Sequence, residues 1–168
     1  MTELSKWTYW NTPDFGLEGI SGPARIVNVH DGDTVTLAMN VFGGYYKFNC
    51  RIDGIDTNEL NSKFPSLKTL AYATRNRVLQ ILGFNSIHLD DKLSRKEILQ
   101  MLYEKVIIVI ARCKQYDKYG RILCDIFVDD KSLADILIEE NLAVLYDGGK
   151  KMNDAEMQAA TQTTMSIK

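Results

Sequence analysis

Apolar and polar residues alternate with a period of two through much of the stretch from Arg25 to Ile55, the pattern of strands with one buried face. Gly43 and Gly44 interrupt it, and glycine accepts the positive φ of tight hairpin turns, so the segment reads as a hairpin folded at that pair. The turn sets Val41 against Tyr46, Met39 against Phe48, Leu37 against Cys50 and Val35 against Ile52, all apolar. The intervening pairs, Asn40 with Lys47, Ala38 with Asn49 and Thr36 with Arg51, form a mostly polar opposite face. From Leu67 to Leu82 the apolar spacing lengthens to about 3.6 residues and predicts a helix. Residues 83 to 93 read as a loop. Ser94 and Glu97 are spaced as a capping box opening a short second helix. "KVIIVIARCKQ" is the strongest strand, "YDKYG" a turn and "RILCDIFVDD" the returning strand. Ser132 and Asp135 are spaced as a second capping box, for a helix reaching Asn141. Beyond Lys151 the tail reads as a frayed helix or disorder. Strands followed by helices in mixed order give an α+β class with a curled antiparallel sheet.

One feature of the alternation is costly. Val27, Val29, Val35 and Leu37 share a parity with Asp31 and Asp33, which places two carboxylates on the face meant for the core. Burying an ionised carboxylate costs several kcal/mol unless something cationic or hydrogen-bonding compensates it. Asp-Gly-Asp alone is a weak signal, since most such triplets are turns, and the spacing excludes an EF-hand. A second acidic stretch, "DGIDTNE", follows the facing strand and brings Asp53, Asp56 and Glu59 alongside. Two acidic clusters held together call for a cation, and oxygen donors suit a hard divalent ion, Ca²⁺ or Mg²⁺. Arg51 lies among these acids and Arg121 follows the "DKYG" turn. Each alone reads as a surface salt bridge. A divalent ion with two arginines nevertheless makes a phosphodiester site, in which Glu59 could orient or deprotonate a water. The hairpin register puts Arg51 on the face opposite Asp33, so their meeting requires a bulge at Gly32 or Gly54.

At 168 residues, 45% hydrophobic and 25% charged, the chain is expected to form one domain with a real core. No apolar run approaches the ~18 residues of a membrane span and no secretory leader is legible, so an intracellular location is expected. Three cysteines without metal-ligand spacing are expected to be reduced thiols. A formal charge of −2 argues against coating nucleic acid by bulk electrostatics, though a small basic site remains open. Residues 1 to 23 read as an aromatic-rich extension, 24 to 150 as the domain, and 151 to 168 as the tail. His30 reads as an exposed turn residue. Trp7, Tyr9 and Trp10 either strap the extension to the domain or face a partner.

The ordered set "DGDTV", "RIDGIDTNE", "DKYGR" with "ILCDIFV", and "LIEENLAVLY" resembles the staphylococcal nuclease (thermonuclease) family over residues 24 to 150. The resemblance implies an OB-fold, a five-stranded antiparallel barrel with about three helices whose mouth binds nucleic acid. It implies one Ca²⁺ held by Asp33, Asp56 and the backbone carbonyl of Thr57, with Asp31 close by. Glu59 would position the attacking water, as general base or as holder of the water network. Arg51 and Arg121 would grip the scissile phosphate, and Lys118 and Tyr119 would lie near a terminal phosphate. Tyr146 is the nearest candidate for a second nucleotide-stacking tyrosine. The implied activity is calcium-dependent hydrolysis of DNA or RNA to 3′-phosphate ends; no membrane partner is expected, and the oligomeric state is left open with a monomer as the default. The chain departs from the family at Asn58, where proline is usual, and in a longer stretch over residues 83 to 104. The rival is a nuclease-like module that only binds nucleic acid or a protein; degenerate copies lose acidic ligands or arginines, whereas this chain keeps all five side chains.

Overall fold

Phe42 and Gly43, not the two glycines, form the hairpin turn. A computed structural model of the chain describes residues 2–150 and 152–165. In it β2 (Thr34–Val41) and β3 (Gly44–Ile52) pair antiparallel with Val35 opposite Cys50, Leu37 opposite Phe48 and Met39 opposite Tyr46. The expected register is therefore displaced by two residues. Phe42 and Gly43 both have positive φ, 50° and 81°, the requirement of a two-residue turn whose twist matches the strands. Because the slip is two residues and side chains repeat every two, the inward face is unchanged: Val35, Leu37, Cys50 and Ile52 are fully buried. Tyr46 shares that parity but is 58% exposed.

β1 (Ser21–Val29) pairs with β2 on one side and with β5 (Ile108–Tyr116) on the other. β5 pairs with β6 (Ile122–Val128), and β6 closes the ring by lying parallel to β3 from Cys50–Ile122 to Ile52–Cys124. The result is a closed five-stranded barrel of OB type, mixed rather than wholly antiparallel as expected. The reason is parity: around a ring with an odd number of strands, directions cannot alternate everywhere, so one neighbouring pair must run parallel. β1 begins at Ser21, inside the stretch read as extension, and Leu17 before it is completely buried. Trp7, Tyr9 and Trp10 are exposed, whereas Phe15 meets Phe42 at the hairpin tip with ring centres 6.0 Å apart.

Four α-helices surround the barrel among the described residues, one more than expected: α1 (Pro65–Ile81), α2 (Arg95–Glu104), α3 (Leu133–Glu139) and α4 (Asp154–Met165). α1 starts on a proline at its first turn, where the missing N–H costs nothing. It buries Leu67, Ala71, Val78 and Leu79. Three polar residues of α1, Thr74, Arg75 and Asn76, are buried as well, and two of them hold the loop before α2: Asn76 Nδ2 reaches the carbonyls of His88, Leu89 and Asp91, and Arg75 donates to that of Leu93 at 2.7 Å. α2 opens with the expected capping box and buries Ile98 and Leu102. At the head of α3 Ser132 accepts from the Asp135 amide at 3.2 Å. The tail is helical as α4, tied by Ser62 Oγ donating to Asp154 Oδ2 at 2.7 Å and by buried Met157. Two short strands complete the site's frame, β4 (Ile55–Asp56) and β8 (Val144–Leu145), paired antiparallel; β7 (Lys131–Ser132) folds back antiparallel on the end of β6.

Cys50, Cys113 and Cys124 are free thiols in the core. Hydrogen bonding with Cys124 and burial push the Cys113 thiol up, so it stays protonated and inert. No helix among the described residues is long and apolar enough to cross a membrane.

Candidate active site

Gly32 explains the Asp-Gly-Asp stretch. A Cβ at this position would lie 2.4 Å from Thr74 Cγ2 on α1 and 3.0 Å from Thr57 Cγ2. Both threonines are buried and branched at Cβ, so neither side chain can swing aside. Only glycine lets the loop settle against Thr57 and so bring Asp33 beside Asp56. The loop is pinned by the Asp33 amide donating to Asp31 Oδ1 at 3.3 Å and by the Ile52 amide donating to the Asp33 carbonyl at 2.8 Å. Asp33 escapes strand alternation because β2 begins only at Thr34. The bulge expected at Gly32 or Gly54 is thus not needed; the register shift lies in β1 between Ile26 and Asn28. It turns Val27 out of the apolar row.

Arg51 joins the two acidic stretches. Its Nη2 lies 3.2 Å from Asp33 Oδ2 and 2.9 Å from Asp56 Oδ1, and donates to the Ile55 carbonyl at 3.2 Å. The side chains of Arg51, Asp33 and Asp56 are 8%, 4% and 1% exposed, and such buried charges persist only when paired. Burial opposes the Arg51 cation, but Asp33 and then Asp56 outweigh it and raise its pKa. Thr34 Oγ1 donates to Asp33 Oδ1 at 2.8 Å, which orients that carboxylate. The pairing of β4 with β8 places Asp56, and the Tyr146 amide donating to the Gly54 carbonyl at 2.9 Å seats the Tyr146 ring 5.3 Å from the Arg51 guanidinium.

Among the described residues no three or more His, Cys, Asp or Glu side chains are grouped to hold a metal ion. The donors here are two carboxylates with the Thr57 backbone beside them, in a space shaped by a missing Cβ. That all-oxygen set fits a hard cation which keeps part of its water shell.

The second arginine depends on a residue that sequence reasoning passed over. Asp117 opens the "DKYG" turn and accepts from the amides of Tyr119 and Arg121, each at 2.9 Å, and from Arg121 Nε at 2.6 Å. Gly120 closes the turn at φ +79°. Burial pushes the Asp117 carboxyl up, but those amide and guanidinium hydrogen bonds hold it below the usual carboxylate range. An aspartate heading a turn with glycine three places on was the signal available. So steered, Arg121 Nη1 comes to 3.5 Å from Thr34 Oγ1, the hydroxyl that orients Asp33.

Arg51, Glu59, Lys118, Tyr119, Arg121 and Tyr146 line one cleft of about 850 Å³. The structure thus brings together every side chain expected to meet substrate, with Asp33, Asp56 and Thr57 behind Arg51. Asp31 stays in the bend beside them. Asn58, between Thr57 and Glu59, is buried with its Oδ1 unpaired among the described residues. His30 is not an exposed turn residue: its Nε2 lies 2.9 Å from Thr36 Oγ1, which in turn donates to Asn49 Oδ1 at 3.0 Å.

The family model described as "Staphylococcal nuclease homologue" matches residues 90–166. This span carries Lys118, Tyr119, Arg121 and Tyr146, while the acidic half of the site lies outside it. Among curated proteins none matches the chain.

Proposed function

Because the chain carries a domain of the staphylococcal nuclease type on a closed OB-fold barrel, we propose that it is a calcium-dependent nuclease hydrolysing DNA or RNA to leave 3′-phosphate ends. The observation that carries this reading is the convergence of buried Asp33 and Asp56 on Arg51, behind a cleft that also holds Glu59 and Arg121. Asp33, Asp56 and the Thr57 backbone carbonyl would hold one Ca²⁺. Bound there, the ion would polarise a phosphoryl oxygen and offset the charge that grows on it.

The chain's own groups do the rest. Arg51 and Arg121 present N–H donors to the scissile phosphate, and fixed donors stabilise developing charge without reorganising at the moment of reaction. Glu59 accepts a proton from the attacking water as its oxygen bonds to phosphorus. The bond from phosphorus to the 5′-oxygen breaks, and its electron pair leaves with that oxygen. Solvent supplies the proton, since an arginine does not give one up. Lys118 and Tyr119 take a neighbouring phosphate at the rim, and Tyr146 offers a ring for a base. A monomer suffices, because one chain carries every group named.

Asp56→Asn tests the reading. Cleavage of a labelled oligonucleotide by the wild type should rise with calcium and stop with chelator. The variant should lose about 10²-fold in activity at saturating substrate, with more calcium needed for what remains. Equal activity of the variant, or full wild-type activity in chelator, would refute the assignment.

A further inference from the structure

A second cavity, of about 630 Å³, lies under α2 against the outer face of β1, β2 and β3. Arg25 from β1, Lys47 from β3 and Arg95 from α2 line it, with His30, Asn28, Thr36 and Asn49 between them and no aspartate or glutamate among its lining residues. In a chain of net charge −2 this is a marked segregation of positive charge. Arg25 Nη2 donates to the Leu102 carbonyl at 3.0 Å, but among the described residues neither Lys47 nor Arg95 has a carboxylate within ion-pair distance. Asn28 is 4% exposed, and its Oδ1 has no described partner.

The polar groups between the cations are pre-set. Thr36 Oγ1 donates to Asn49 Oδ1 at 3.0 Å and lies 2.9 Å from His30 Nε2, which also has Asn28 Nδ2 at 3.1 Å. Burial, and then Arg95 nearby, lower the pKa of His30 and favour its neutral form. With its oxygen engaged, Asn49 keeps its amide N–H groups for an acceptor, and exposed Asn49 and Lys47 stand ready at the cavity wall. Donors and cations without carboxylates select an anion.

One row of side chains leads from the cavity toward the cleft: Lys47 and Asn49 line the first and Arg51 the second. Thr34 pairs with Arg51, Thr36 with Asn49 and Ala38 with Lys47, all on the outer face of the β2–β3 hairpin. Arg51 and Lys47 are four residues apart on one strand, about 14 Å at 3.4 Å per residue. A strand of a few nucleotides covers that distance, and Tyr45, 80% exposed, continues the row with an aromatic ring. We propose that this cavity is a binding track for the phosphates of a single-stranded nucleic acid whose next segment occupies the cleft, with Lys47, Arg95 and Asn49 as its principal contacts. The proposal rests on the nuclease reading for the direction of the strand, but not for binding itself.

The test is equilibrium binding in chelator, where no strand is cut, with a fluorescent 12-nucleotide single strand and a dinucleotide. A Lys47→Glu/Arg95→Glu variant is compared with Lys68→Glu/Lys131→Glu, which makes the same charge change on residues lining neither cavity nor cleft. The first variant should lose at least about tenfold in affinity for the long strand, and the slope of log K against log salt should flatten by about 1.4, two phosphate contacts' worth. Its dinucleotide affinity should match the wild type. Equal loss in both variants, or none in the first, overturns the track and leaves the cleavage reading standing. Equal competition by polyglutamate overturns it in favour of an acidic protein segment. Long-strand binding with these properties by a wild type that never cuts supports the track and removes the nuclease reading instead.

Discussion

Asp33 and Asp56 share a guanidinium in a space from which water is almost wholly excluded, so each member of the cluster depends on the others. Removing the cation leaves two carboxylates facing one another at low dielectric. Arg51→Ala should therefore cost about 3–5 kcal/mol of stability. If the same oxygens bind calcium, millimolar Ca²⁺ should restore part of that loss, and thermal unfolding of the variant with and without the ion reads both effects. Asp117 bears on pH. Its folded pKa is depressed, so the stability it contributes is complete above the ordinary aspartate value of about 3.9 and is lost as pH falls through the lower folded value. Asp117→Asn should be about 2 kcal/mol less stable than wild type at neutral pH, with the gap closing in acid; a gap constant with pH would show that the carboxylate charge is not what matters. Asp33 was legible because charge on an inward parity conflicts with burial and demands a partner, and Asp56 and Arg51 followed from the second acidic stretch and the ordered motifs. Asp117 was not, because it lies in a turn, where an aspartate needs no further explanation.

At the scale of elements, the hairpin shows what the sequence pattern fixes and what it leaves open. Alternation determines which residues face inward but not which of two neighbouring turns is used, since a slip of two preserves every face. Backbone conformation decides it. Gly43 has φ +81°, whereas a Cβ on Gly44 would meet only the ring of exposed Tyr46, at 2.7 Å. Gly43→Ala should cost about 1 kcal/mol or more, and Gly44→Ala less than about 0.5 kcal/mol once the tyrosine swings aside. Equal costs, measured by chemical denaturation, would return the turn to the glycine pair. The capping box of α2 was legible because it uses local spacing alone. The buried Arg75 and Asn76 of α1 were not, because their partners are backbone carbonyls of a loop that has no sequence signature.

At the scale of the molecule, ring closure carries the argument. β6 lies parallel to β3, so the "DKYG" turn before it arrives at the strand end that bears Arg51. Two arginines 70 residues apart in sequence thereby face one cleft. The short β4–β8 pairing performs the same service for Asp56 and Tyr146. These meetings depend on non-local pairing, and the strand pattern alone left them open; the resemblance carried by the ordered motifs supplied them in advance. The whole arrangement stands or falls on chemistry at one cleft, and the direct measurement is product analysis. A 3′- and 5′-labelled single-stranded oligonucleotide would be incubated at millimolar Ca²⁺ with wild type, with Glu59→Ala and with Arg121→Ala, each shown to be folded. Cutting that leaves 3′-phosphate and 5′-hydroxyl ends, reduced at least about 10²-fold in both variants, is the predicted result. A folded wild type that binds the oligonucleotide but leaves it intact, or variants that cut as well as it does, would contradict the account.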